Sequence, residues 1–135
     1  MIVSQEKVKI SAAVDVYNHV KKIFGKCDEI SQDQEHFWVM SLNSNNVIKF
    51  VDLIGIGSIR QVYISPVEVF RRAIINGAAA IILTHNHPSG RVVPSPEDEK
   101  FTRTISELSK LMEIKFLDHV IIGDGFYSFA HDGKI

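Results

Sequence analysis

At 135 residues, with 45% hydrophobic and 23% charged side chains, the chain can bury a substantial core and falls within the range of one compact domain, so a single unit over 1–135 is expected. Fifteen Lys and Arg against sixteen Asp and Glu leave a net charge of -1, which disfavours sequence-specific DNA binding through a concentrated basic face while leaving weak backbone contact open. The lone Cys27 excludes an internal disulfide and a Cys-rich structural zinc site, no apolar run approaches the roughly 20 residues of a membrane helix, and residues 1–7 lack a signal-peptide pattern; a cytoplasmic location without membrane contact is expected.

In chain order, residues 11–24 are predicted as a first helix. Val16, Val20, Ile23 and Phe24 recur at helical spacing, Lys21 and Lys22 fill the last turn, and Gly25 is a stop. A hairpin follows: Glu35 opens a strand that continues over 37–42, 43–46 form a turn, and 47–54 return as a strand that Gly55 and Gly57 are expected to break. A short strand near 61–64 precedes a second helix over 66–76, ended by Gly77. The apolar run 78–83 reads as a buried strand, too short for a helix, extending to Thr84. A third helix over 96–113 would place Phe101, Ile105, Leu108, Leu111 and Met112 on one face. Strands over 115–122 and 126–130 flank the Gly123-Asp124-Gly125 turn. Helices interleaved with hairpins and crossovers imply an α/β fold with a mixed sheet between helices. Phe37, Trp38 and Phe50 are expected as core aromatics.

The stretch 82–98 carries the chemistry. In extended backbone, residues i and i+2 point to the same side, so His85 and His87 at a strand end can share one metal ion. Asp98 must come from a second element, and Ser95-Pro96-Glu97-Asp98 reads as its start: Ser95 as N-cap, Pro96 at the first helical position, an acid in the first turn. The turn with Pro88, Gly90 and Pro94 can fold the chain back between them. Two imidazoles and one carboxylate are the set that catalytic zinc uses when a fourth position stays open for water. One Zn2+ per chain on His85, His87 and Asp98 is therefore expected, and with it a metallohydrolase. The bland alternatives are histidines that merely pack or titrate, and a Ser95-x-x-Asp98 that is only a capping box. Ser65-Pro66-Val67-Glu68 has the same form with no histidine nearby.

His85-x-His87, seven residues, Ser95, two residues, Asp98 resembles the JAMM (MPN+) metalloprotease signature, and the words His-Asn-His-Pro-Ser-Gly and Pro-Ser-x-x-Asp resemble the bacterial RadC family in particular. So do Glu35-His36-Phe37-Trp38, Ser65 to Ala73, and Leu117-Asp118-His119-Val120-Ile121-Ile122-Gly123-Asp124-Gly125, which extends the likeness from about residue 34 to the C-terminus. The loop departs at Arg91, Val92 and Val93, where RadC proteins commonly carry an acid and a second proline or threonine. The helix-hairpin-helix region of longer RadC proteins is not expected here, which weakens an inherited role in DNA repair.

The resemblance implies a JAMM/MPN-like, cytidine-deaminase-like three-layer arrangement with a largely antiparallel sheet. It also implies Glu35 as the general base and Ser95 as a stabiliser of the oxyanion, alongside its capping role. Glu68 and Glu97 are the other acids to weigh. Glu68 is better explained as a helix cap, and Glu97 would point roughly 100° away from Asp98. Asp118-His119 reads either as a pair that orients a ligand or, more in keeping with strand-embedded histidines, as a hydrogen-bonded structural group. His19, His36 and His131 lack partners at ligand spacing.

The leading expectation is a zinc-dependent peptidase acting on a peptide or isopeptide bond of an unidentified peptide or protein. A non-catalytic accessory of DNA repair or recombination and a scaffold with a structural metal are the competing readings. The residue pattern specifies neither the substrate nor the oligomeric state.

Overall fold

The computed structural model describes residues 2–3, 7–25, 33–57 and 64–135. Its elements are β1 (Ile2–Val3), α1 (Ala13–Phe24), β2 (Glu35–Leu42), β3 (Ile48–Gly57), α2 (Pro66–Ile75), β4 (Ala80–Asn86), α3 (Pro96–Met112), β5 (Lys115–Gly123) and β6 (Gly125–Ser128). The six strands form one sheet in the order β1-β3-β2-β4-β5-β6, antiparallel at every junction except the parallel β4–β5 pair. Residues 61–63 of the expected strand, and Cys27, lie outside the described residues, and Ile64 is in no strand.

The two central strands are apolar in both directions because both of their faces are covered. Trp38, Met40, Leu42 and Ile82 pack with Val16 and Val20 of α1 on one face. Phe37, Val39, Ile81 and Leu83 pack on the other with Val69, Phe70 and Ala73 of α2 and Ile105 of α3. The result is an α/β domain in three layers, as the sequence implied.

Each helix has a local reason for its bounds. α1 starts where the Asp15 carboxylate accepts the backbone N–H groups of Ser11 and Ala12 (2.8 and 3.1 Å). α2 begins at Ser65, whose hydroxyl accepts from Val67 N–H (3.3 Å), and gives way to Gly77 at φ +62°. The turn into β3 is built by Asn43, whose Oδ1 accepts from the N–H groups of Asn45 and Val47 (2.9 and 3.0 Å).

Several expectations are corrected. Gly55 and Gly57 do not break the return strand: Phe37 pairs with Gly55 and Trp38 with Leu53, so Ile54 forms a bulge and pairing runs on to Gly57 beside Glu35. Leu111 is 82% exposed, while Thr102 and Ser109 take buried places on α3, because the inward face is set by Ile105 rather than by apolar content alone. Phe50 is only half-buried, unlike Phe37 and Trp38. The Glu68 carboxylate pairs with Arg71 instead of capping its helix.

Strand ends and one turn position the site. The β2–β4 ladder stops at Phe37 opposite His85, and the β4–β5 ladder at Asn86 opposite Ile122. The chain leaves β4 with His87 N–H still bonded to the Ile122 carbonyl (2.9 Å) and turns at Gly90, φ +86°. The Gly90 carbonyl accepts from Asp124 N–H (2.7 Å), which seats the loop on the β5–β6 turn. A β-carbon at Gly123 would stand 2.4 Å from the Gly90 carbonyl oxygen, so this seat requires glycine there.

Candidate metal centre

Period-two alternation sorts the residues around the site. Glu35, Phe37 and His85 face the α2–α3 layer, and α3 begins over the same spot with Ser95 and Asp98. His36 faces the opposite layer, stacked on Trp38 (5.4 Å between centroids, 17°), and so has no place at the site, as its spacing indicated. His85 is fully buried and stacks on Phe37 (5.3 Å, 6°). The side chains of Glu35, His87 and Asp98 keep 15–19% of their surface exposed, so the cluster opens to solvent on their side.

The donor atoms converge. His85 Nε2 lies 3.1 Å from His87 Nε2, and Asp98 Oδ1 and Oδ2 lie 3.4 and 3.3 Å from those two nitrogens. Two ligands bound at zinc–nitrogen or zinc–oxygen lengths on a tetrahedral centre are about 3.3 Å apart. Glu35 Oε1 lies farther out, 3.8 Å from His85 Nε2. Glu35, His85 and His87 also present ligand atoms all within 4.8 Å of one another, a His/His/Glu cluster that could hold a metal ion. Two carboxylates thus flank the histidine pair, with Asp98 the nearer to His85.

The environment of each group is set by its neighbours. Burial resists ionisation of the Asp98 carboxylate, but the imidazoles of His85 and His87 beside it outweigh this and hold it well below the usual carboxylate range. The Asp98 carboxylate beside it raises His87, against the effect of burial. Burial raises Glu35, with His85 and His87 pulling the other way. Burial holds His119 well below the usual imidazole range, reinforced by the neighbouring His85.

Ser95 forms the capping box at the start of α3. Its hydroxyl oxygen accepts from Asp98 N–H (3.0 Å), and Asp98 Oδ2 accepts from Ser95 N–H (2.9 Å), so one oxygen of Asp98 is tied to the cap while it faces the histidines. Glu97 is exposed on the helix. The departures at Arg91–Val93 leave the site's support intact, because His87 Nδ1–H donates to the backbone carbonyl of Arg91 (2.9 Å) and not to a side chain.

Three further residues support the cluster. Asn86 bridges the gap where the β2–β4 ladder ends: its Oδ1 accepts from His36 N–H (2.6 Å) and its Nδ2 donates to the Gln34 carbonyl (3.1 Å), bracketing Glu35 on both sides. His119 lies behind His85, its Nε2 2.8 Å from His85 Nδ1, and its Nδ1 is 2.7 Å from Thr102 Oγ1. The Asp118-His119 pair is therefore split. Asp118 is structural, accepting from the Ser128 hydroxyl and from the N–H groups of His119 and Ala130 (2.6, 2.7 and 3.0 Å), whereas the His119 ring meets a candidate ligand. Thr102 gave one signal in the sequence, a position four residues after Asp98 and so on the same helix face.

Comparison with known proteins agrees with this geometry. A family model described as the RadC-like JAB domain matches residues 10–134. A UPF0758 protein of Clostridium acetobutylicum is 40% identical over 133 residues, covering 98% of this chain and 56% of its own length. Others from Desulforudis audaxviator (43% over 96 residues, 71% and 42%) and Staphylococcus haemolyticus (42% over 123 residues, 91% and 52%) are similar. The chain thus spans about half the length of the curated relatives it matches, and their names state no activity. Among the described residues no helix is long and apolar enough to cross a membrane. A near full-length family match, together with the His85, His87, Asp98 and Glu35 convergence, places the chain in the RadC-like JAB domain family, a branch of the JAMM/MPN superfamily that includes metalloproteases.

Proposed function

We propose that this domain is a zinc-dependent hydrolase that cleaves a peptide or isopeptide bond. The observation that carries the reading is the approach of two imidazole nitrogens and one carboxylate to 3.1–3.4 Å of one another with a second carboxylate beside them. His85, His87 and Asp98 would hold the ion, since Asp98 comes nearer to His85 than Glu35 does. When bound, zinc supplies a Lewis acid that polarises a carbonyl and makes water a competent nucleophile near neutral pH.

The chain's own residues supply the rest. Glu35 takes the proton of the attacking water and returns it to the leaving nitrogen, a task suited to a carboxylate that burial has moved toward neutrality. Ser95, held at the cap of α3, turns its hydroxyl proton to the developing oxyanion. Phe37 and the buried face of His85 wall off one side, leaving substrate to enter beside Glu35 and His87.

Metal analysis of purified protein should find close to one zinc per chain, falling sharply in His85→Ala and His87→Ala. Full occupancy in both variants would sink the assignment. A peptide-library cleavage screen, with linear and isopeptide-linked members, reads the reaction itself.

A further inference from the structure

We propose that Thr102 and His119 form a relay that fixes which nitrogen of His85 carries its proton, so that Nε2 keeps a lone pair toward the candidate metal centre. The relay rests on the reading of that cluster as a metal site. Its geometry is a chain of three contacts reaching from the Asp98 carbonyl through Thr102 and His119 to His85 (2.8, 2.7 and 2.8 Å).

Proton bookkeeping gives the direction at every link. The Asp98 carbonyl can only accept, and the Thr102 hydroxyl has a single proton, which it donates there. Thr102 Oγ1 must then accept from His119, which places a proton on His119 Nδ1. The His119 ring is fully buried with both nitrogens taken up by Thr102 and His85 and, among the described residues, no carboxylate hydrogen-bonded to them, so a second proton would be an unpaired buried charge. His119 Nε2 is therefore an acceptor, and His85 Nδ1–H donates to it. The remaining nitrogen of His85, Nε2, faces His87 Nε2 and Asp98. His87 reaches the same state more simply, through its Nδ1–H bond to the Arg91 carbonyl. Because the relay starts on the peptide group of Asp98, it also ties α3 to β4, the two elements that bring ligands.

Without this wiring His119 would be free to take the tautomer with Nε2 protonated. That proton would face His85 Nδ1, force it to accept, and move the His85 proton to the nitrogen a metal needs. Thr102 and His119 are thus positioning residues: neither offers an atom to the centre itself.

The test combines a tautomer measurement with zinc affinity. Long-range 1H–15N correlation spectra of the metal-free wild-type chain at pH 8 should show His119 protonated at Nδ1 with Nε2 bare; protonation at Nε2 instead overturns the relay. Zinc affinity by competition with a chromophoric chelator should fall roughly 10–100-fold in Thr102→Val, which keeps the shape and loses the hydroxyl, and be retained in Thr102→Ser. Equal affinity in the two variants, with metal-free melting temperatures unchanged, also overturns it. A wild-type chain that takes no zinc, with His119 still protonated at Nδ1, supports the wiring while it overturns the metal reading.

Discussion

Glu35 and Asp98 are two carboxylates on one cluster with opposite tendencies. Asp98 is held ionised by His85 and His87, as suits a ligand, while Glu35 is pushed toward its protonated form by burial, as suits a base that must also act as an acid. Glu35→Gln should keep zinc and fold and lose hydrolysis by roughly 10²–10⁴-fold. Undiminished activity would remove Glu35 from the mechanism, and loss of zinc in metal analysis would recast it as a ligand. Ser95 has a structural role already, so its variant needs two readouts. Ser95→Ala should lower kcat by roughly 10²-fold if the hydroxyl serves the oxyanion. A melting temperature lowered in keeping with about 1 kcal/mol, with kcat unchanged, would leave it as a cap alone.

At the scale of elements, the site depends on how a loop is seated between strands. The turn after β4 lies on the β5–β6 turn so closely that Gly123 has no room for a β-carbon against the Gly90 carbonyl, and a β-carbon on Gly90 itself would meet Asp124 Oδ2 at 2.6 Å. Both clashes involve the segment whose Arg91 carbonyl orients His87. Gly123→Ala should therefore destabilise the domain by about 1–3 kcal/mol in chemical denaturation and weaken zinc binding as well. Stability lost without any change in affinity would show that His87 is held independently of that seat. The sequence marked the turn residues of this loop by type. Their mutual contact was not legible, since Gly90 and Gly123 meet only through the β4–β5 crossover and its parallel register.

For the whole molecule, two apolar layers on either side of the sheet form a core whose members do not include the residues of the candidate metal centre. Chelation should then leave far-UV circular dichroism intact while lowering the melting temperature, because a ligand at one hundred times its Kd adds about 2.7 kcal/mol to the folded state alone. Unfolding on chelation would make the metal structural instead. The sequence by itself determined what spacing controls: His85 and His87 on one side of an extended strand end, Ser95 and Asp98 in one helical turn, and the alternation that covers both faces of β2 and β4. Each follows from the period of a single element. Only the tertiary structure decided what depends on register and on helix docking. The antiparallel ladder sets Glu35 beside His85, a bulge at Ile54 carries pairing past two glycines, and the packing of α3 on β5 puts Thr102 and His119 behind His85. Leu111 faces solvent for the same reason, because which stripe of a helix is buried is chosen by the surface it meets.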